Sequence, residues 1–168
     1  MKQRGMKYDG SIDLYPINDG EVWSLENGSS MAIADITKGI PSFLKQADCV
    51  FIDPAGSKGV LKSYYTKADK ECPVQSFGEF VEHITRCIKE INPDRLFVEC
   101  FMRNRNDLEA MVRNLFPHVV VYDATYYHKP ENKAWIIQGS KQSEKYGYDG
   151  MDEWDIVFKL CREVPFTG

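Results

Sequence analysis

Residues Cys49–Gly56 read CVFIDPAG, an apolar run of four residues followed directly by Asp53 and Pro54. A run that is apolar at every position is typical of a strand whose two faces are both covered, as in a parallel sheet packed between helices. Proline cannot donate a ladder hydrogen bond, so the strand is expected to end before it. The segment therefore predicts a buried central strand with a carboxylate at its carboxyl end.

The chain after this strand alternates between helical and strand patterns. A capping-box pair, Ser76 and Glu79, begins an amphipathic helix. The stretch Arg95–Cys100, apolar from Leu96 to Val98, predicts a second strand, which carries Glu99 near its end. A second amphipathic helix then stops at Pro117. These elements repeat the order strand, helix, strand, helix.

Weaker patterns lie on both sides of this core region. They predict a hairpin over residues 22–34 around Asn27-Gly28, a short helix over Pro41–Gln46, strands at about 118–125 and 133–138, and a final helix over Asp152–Glu163. Strands that alternate with helices imply right-handed crossovers. We therefore expect one α/β domain over residues 1–168, with an N-terminal arm at 1–20. Its sheet should be mainly parallel with helices on both faces, and residues 119–138 could form a closing hairpin with one antiparallel strand.

Composition narrows the class of protein. The 168 residues carry a formal charge of −4, with a pI of about 5.4, which argues against strong nonspecific binding to a phosphate backbone. The apolar runs are too short to span a membrane, and no apolar signal region follows the charged start. The five cysteines are odd in number and lack C-x-x-C spacing, which indicates reduced thiols and no structural metal site. These features predict a cytoplasmic protein without a membrane partner.

Asp53 and Glu99 are the first candidates for function. Ligands of such sheets bind at the carboxyl ends of the strands, where these two carboxylates are expected to lie. Two carboxylates there could bind a metal, act as acid and base, or accept hydrogen bonds from a substrate. The alternative is structural: Asp53 caps the following turn, and Glu99 pairs with Arg103.

Three segments carry a resemblance to a known family. Phe51–Gly56 (FIDPAG) resembles the Asp-Pro-Pro-aromatic motif of S-adenosylmethionine-dependent methyltransferases that modify exocyclic amino groups of adenine or cytosine. Leu25–Ser30 (LENGSS) is similar to the Asn-Gly-Asp segment that precedes this motif, and Tyr64–Asp69 (YYTKAD) is similar to the loop after it in phage or mobile-element members. The resemblance implies a Rossmann-like methyltransferase fold that binds DNA.

The resemblance also implies roles for single residues. The Asp53 carboxylate and the Pro54 carbonyl would accept the two amino hydrogens, which makes the nitrogen more nucleophilic as the methyl group arrives. The family's second proline and its base-stacking aromatic residue are replaced here by Ala55 and Gly56. The predicted substrate- or cofactor-binding residues are therefore Ala55, Gly56, Lys58, Tyr64, Tyr65 and Glu99. Either tyrosine could supply the missing aromatic ring, and Lys58 could neutralise a phosphate.

The cofactor segment departs further from the family. No strand followed by a G-x-G loop lies after Asp53, although the family's motif order places the S-adenosylmethionine loop there. The chain could therefore be a methyltransferase that recruits the cofactor in an unusual way. It could also be an inactive binding or accessory module, or a metal-dependent hydrolase that uses Asp53 and Glu99. Expected partners are DNA and either a second copy or a complementary subunit.

Overall fold

The structure is a computed structural model that describes residues 20–67, 69–126 and 129–142. Most of the expected N-terminal arm and the whole of the expected final helix lie outside these residues. In chain order the elements are β1 (Val22–Ser24), β2 (Ser30–Ala32), a 3₁₀ helix (Ser42–Gln46), β3 (Cys49–Ile52), α1 (Lys58–Lys67), α2 (Phe77–Ile91), β4 (Arg95–Phe101), α3 (Arg105–Leu115), β5 (His118–Tyr126) and β6 (Lys129–Ser140).

Within the described residues, the main sheet has four strands in the order β3-β4-β6-β5. Of these four described strands, only β3 and β4 pair in parallel, whereas β6 is antiparallel to both of its neighbours. The prediction of a mainly parallel, Rossmann-like sheet is therefore wrong. The physical reason is the short connection after Tyr126: it is too short to cross over the sheet, so β5 and β6 pair as an antiparallel hairpin. Strand β6 then occupies the position between β4 and β5.

The described helices pack on one face of this sheet. Alternate residues of β4 and β6, including Leu96, Val98 and Ile137, are fully buried and share a hydrophobic cluster with side chains of α1, α2 and α3. On the opposite face the edge strands are exposed, with Phe51 on β3 at 55% and Val120 on β5 at 48%, whereas Phe97 and Gln138 on the central strands are buried. The expectation of helices on both faces is therefore also wrong for the part of the chain that the structure describes.

Helix α2 begins as its sequence predicts. The Ser76 hydroxyl accepts a hydrogen bond from the Glu79 N–H at 3.0 Å. The Glu79 carboxylate accepts one from the N–H of Gln75 at 2.5 Å, one residue before the position that the capping box predicts. Asn92, with a positive φ of 55°, ends the helix in the left-handed conformation. Local side-chain chemistry thus sets both ends of α2.

Two other local predictions have different outcomes. The Asn-Gly hairpin is confirmed, because β1 and β2 pair antiparallel and Gly28 has a φ of +82°. The loop expected at Tyr64–Asp69 is wrong, because residues up to Lys67 belong to α1. Helix α1 buries a single side chain, Leu61, so its sequence has little of the amphipathic periodicity that reveals a helix.

Candidate functional site

The parallel pair β3–β4 brings the two predicted carboxylates together. Ile52 is paired with Val98 in the register of the sheet, so Asp53 and Glu99 follow the last pair side by side. Asp53 is exposed and Glu99 is half-buried. The pKa of Glu99 is raised above its ordinary value, first because burial removes water from the carboxylate and second because Asp53 carries a negative charge nearby. The two groups therefore form one electrostatic site.

The structural alternative for these carboxylates is absent from the described residues. Ser57, not Asp53, caps the first turn of α1, since its hydroxyl accepts a hydrogen bond from the N–H of Val60 at 3.3 Å. Over residues 20–67, 69–126 and 129–142, no hydrogen bond or ion pair joins the side-chain carboxylate of Asp53 or Glu99 to another residue, Arg103 included. Both carboxylates are therefore available to a ligand that donates hydrogen bonds.

An apolar groove of about 500 Å³ lies beside Asp53. Six consecutive residues of β3 and the following loop, from Val50 to Ala55, line it. Side chains of a strand alternate between the two faces of its sheet, so a groove that contacts every residue runs along the edge of β3. The opposite wall comes from α2, from Leu61 and Tyr64 of α1, and from the segment that contains Ile36 and Ile40. This volume falls in the usual range of small-molecule sites.

The other predicted site residues differ in whether they line this groove. Pro54, Ala55 and Tyr64 line it together with Asp53, and the side chain of Tyr64 is 57% exposed. Tyr65 instead lines a second cavity of about 480 Å³, which Tyr64 also borders. Tyr64 is therefore the tyrosine that stands nearer to Asp53.

Gly56 and Lys58 have structural neighbours of their own. A Cβ placed on Gly56 would meet the Phe101 ring at 3.9 Å, which is ordinary contact, so a small side chain would fit there. The Lys58 ammonium donates a hydrogen bond to the backbone carbonyl of Gln75. In this conformation Lys58 ties α1 to the segment before α2 and is not presented to a phosphate.

Sequence reasoning missed Asn104, which shapes the loop after β4. Its side chain is 1% exposed, and its carbonyl oxygen accepts a hydrogen bond from the N–H of Phe101 at 2.7 Å. The amide nitrogen of Asn104 has no hydrogen-bond partner among the described residues. Asparagine directly before a helix is a common start signal, so the N-cap position of α3 could have revealed it. Asn104 holds the turn that follows the end of β4 at Phe101.

Among the described residues, the cysteines belong neither to a disulfide nor to a cluster of metal ligands. None of the four described cysteines forms a disulfide, and burial raises the pKa of the Cys100 thiol to about 11. A thiol with so high a pKa is a poor nucleophile and metal ligand at neutral pH. In the described part of the chain, no three side chains of His, Cys, Asp or Glu are grouped so that they could hold a metal ion.

Comparison with known proteins does not assign this chain to a family. No protein-family model, curated protein or solved structure matches the chain. Among the residues that the structure describes, no helix is both long and apolar enough to cross a membrane. The fold and site therefore define a mixed α/β protein with a two-carboxylate site at the ends of its only described parallel strand pair.

Proposed function

We propose that this chain is a nucleobase-binding module that takes up the exocyclic amino group of adenine or cytosine at Asp53 and Pro54. The FIDPAG segment resembles the motif of amino-methyltransferases, in which a carboxylate and a backbone carbonyl accept the hydrogens of this amino group. The observation that carries the proposal is the Asp53 carboxylate, which is exposed, free of described partners and placed at an apolar groove.

The chemistry of an amino group matches this site. The two hydrogens of an aromatic amine need two acceptors, and a carboxylate with a neighbouring backbone carbonyl supplies them. A hydrogen bond to a charged acceptor contributes more than one to a neutral acceptor. The apolar walls suit the faces of a flat ring, and Tyr64 offers an exposed aromatic side chain close by.

The described residues do not fit a bound S-adenosylmethionine of the family's kind. The two glycines after β3 do not form a G-x-G loop: Gly56 lies in the loop before α1, and Gly59 lies in the first turn of that helix. Neither has a positive φ. The described residues therefore support binding of the amino group alone.

Single-stranded oligonucleotides test the proposal. We expect the chain to bind an oligonucleotide with one adenine more tightly than the same oligonucleotide with purine, which lacks the amino group. The preference should be about 10-fold or more, the usual contribution of a hydrogen bond to a charged group. Fluorescence anisotropy measures both affinities.

The variant Asp53→Ala should abolish this preference, because it removes the charged acceptor. Asp69→Asn is the matched control, since Asp69 is also exposed and asparagine tolerates its positive φ of 53°. Equal preference in wild type and Asp53→Ala would disprove amino-group recognition by Asp53. Adding labelled S-adenosylmethionine to the same mixture then tests whether a methyl group is transferred to the bound base.

Metal-dependent hydrolysis is a second candidate function. Its support is the electrostatic coupling of Asp53 to Glu99, because a divalent cation could be held by one or two carboxylates together with substrate phosphates. Phosphodiester cleavage that needs Mg²⁺ or Mn²⁺, and is lost in both Asp53→Asn and Glu99→Gln, would favour this function over amino-group binding.

A further inference from the structure

The hydrogen-bond ladder between β3 and β4 ends in an unusual way beside the candidate site. Arg95 pairs with Cys49 in the register, and its N–H donates to the carbonyl of Asp48, the residue before that partner, at 3.1 Å. In a parallel pair every second residue of a strand repeats this pattern. By this pattern the N–H of Phe101, six residues after Arg95, would donate to the carbonyl of Pro54, six residues after Asp48.

This last bond of the ladder is not made. The Phe101 N–H instead donates to the side-chain oxygen of Asn104 at 2.7 Å. In the part of the chain that the structure describes, no hydrogen bond reaches the carbonyl of Pro54, a residue that lines the groove. Asn104 has therefore taken the donor that would otherwise engage Pro54.

The side chain of Asn104 is turned away from the helix that it precedes. An asparagine at an N-cap usually accepts a hydrogen bond from the second or third N–H of its helix. Asn104 makes no such bond to α3, since its oxygen bonds to Phe101. Its amide nitrogen is buried without a partner among the described residues, which costs stability. Capping of α3 therefore does not explain the orientation of this side chain, whereas the bond to Phe101 does.

The backbone holds Asn104 firmly in this place. Its N–H donates to the carbonyl of Phe101 at 3.1 Å, and its carbonyl accepts the N–H of Leu108 at 3.1 Å in the first turn of α3. The side chain is 1% exposed, so few other orientations are open to it. The acceptor oxygen is therefore fixed relative to the end of β4.

We propose that Asn104 is a positioning residue that keeps the Pro54 carbonyl available to an amino group. The inference rests on the proposed function, in which the Asp53 carboxylate accepts one amino hydrogen and the Pro54 carbonyl accepts the other. Without an acceptor at position 104, the Phe101 N–H continues the ladder to Pro54. The backbone then engages this carbonyl, and the amino group loses its second acceptor.

Substitution of Asn104 tests this role with the adenine and purine oligonucleotides. Asn104→Ala should reduce the preference for adenine about 3- to 10-fold, the usual contribution of one neutral hydrogen bond. Asn104→Asp keeps an acceptor oxygen at the same position and should retain the preference. Ser76→Ala is the matched control, because it also removes a hydrogen bond at the start of a helix and should bind like wild type.

Nuclear magnetic resonance tests the ladder without any ligand. Scalar couplings across a hydrogen bond connect an amide nitrogen with the carbon of the carbonyl that accepts its hydrogen. In wild type the Phe101 amide should couple to the side-chain carbonyl carbon of Asn104 and not to Pro54. In Asn104→Ala a coupling from Phe101 to the backbone carbonyl carbon of Pro54 should appear. A loss of stability alone would not produce this new coupling.

Two outcomes would overturn the role of Asn104. One is an Asn104→Ala variant in which no coupling joins Phe101 to Pro54. The other is a wild type that prefers adenine together with an Asn104→Ala variant that prefers it equally. Asn104→Leu, which fills the same space without an acceptor, takes the place of Asn104→Ala if the alanine variant does not fold. A wild type without any adenine preference would instead disprove the proposed function, and this role with it.

Discussion

Glu99 has an unusual environment at the scale of the single residue. Burial and the negative charge of Asp53 both disfavour its ionised form, so its pKa in the folded protein lies above its ordinary value of 4.5. A carboxyl whose pKa is raised by folding binds more protons in the folded state than in the unfolded state. Its contribution to stability is therefore complete below the ordinary pKa and is lost as the pH rises through the raised pKa.

Glu99→Gln should remove this part of the pH dependence. We expect the variant to have a higher free energy of unfolding than wild type at neutral pH, and a flatter profile from about pH 4 upward. Urea denaturation over a pH series measures both. Glu82→Gln, which changes an exposed carboxylate on α2, is the control and should follow wild type. A Glu99→Gln variant that is less stable than wild type at neutral pH would show that the charge of Glu99 stabilises the fold.

At the scale of the element, α2 illustrates how side chains next to a helix determine where it begins. The Ser76 hydroxyl satisfies an N–H group that the first turn leaves without a partner. The two residues of the capping motif, Ser76 and Glu79, are only three positions apart along the chain. The start of α2 could therefore be predicted from the sequence. Helix α1 could not, because one buried leucine does not make a periodic pattern.

Ser76→Ala tests the cap directly. The loss of one N-cap hydrogen bond should lower the free energy of unfolding by about 1 kcal/mol. Ser63→Ala, an exposed change inside α1, should leave stability unchanged or slightly raise it, because alanine is the better helix former. Thermal and urea unfolding followed by circular dichroism compare the two variants. Equal stability of Ser76→Ala and wild type would show that water replaces the cap without cost.

At the scale of the whole molecule, the distance between the helix layer and the sheet depends on Gly139. A Cβ at this position of β6 would lie 2.7 Å from both the Phe116 ring and the Val112 side chain. Real contacts of a Cβ atom are essentially never so short. Glycine therefore allows α3 and the residue after it to pack directly against the backbone of β6.

Gly139→Ala should push these two layers apart. We expect the free energy of unfolding to fall by about 1–3 kcal/mol, the usual cost of overpacking a core. Gly59→Ala should instead raise the free energy of unfolding, because Gly59 lies in α1, where alanine is the better helix former. A Cβ there would lie 3.7 Å from the Ser57 hydroxyl oxygen, which is ordinary contact. Denaturant unfolding of both variants would show the difference, and a neutral Gly139→Ala would mean that the Phe116 ring moves without strain.

The sequence by itself determined the local features of this protein: the start of α2, the hairpin turn at Gly28 and the strand end before Asp53. These depend on side chains and backbone groups only a few residues apart. The tertiary structure alone decided that β6 lies between β4 and β5, that the described helices share one face, and that Glu99 is buried enough to raise its pKa. Such features depend on the pairing of segments far apart in the chain, and the periodicity of a segment does not specify its neighbour in the sheet.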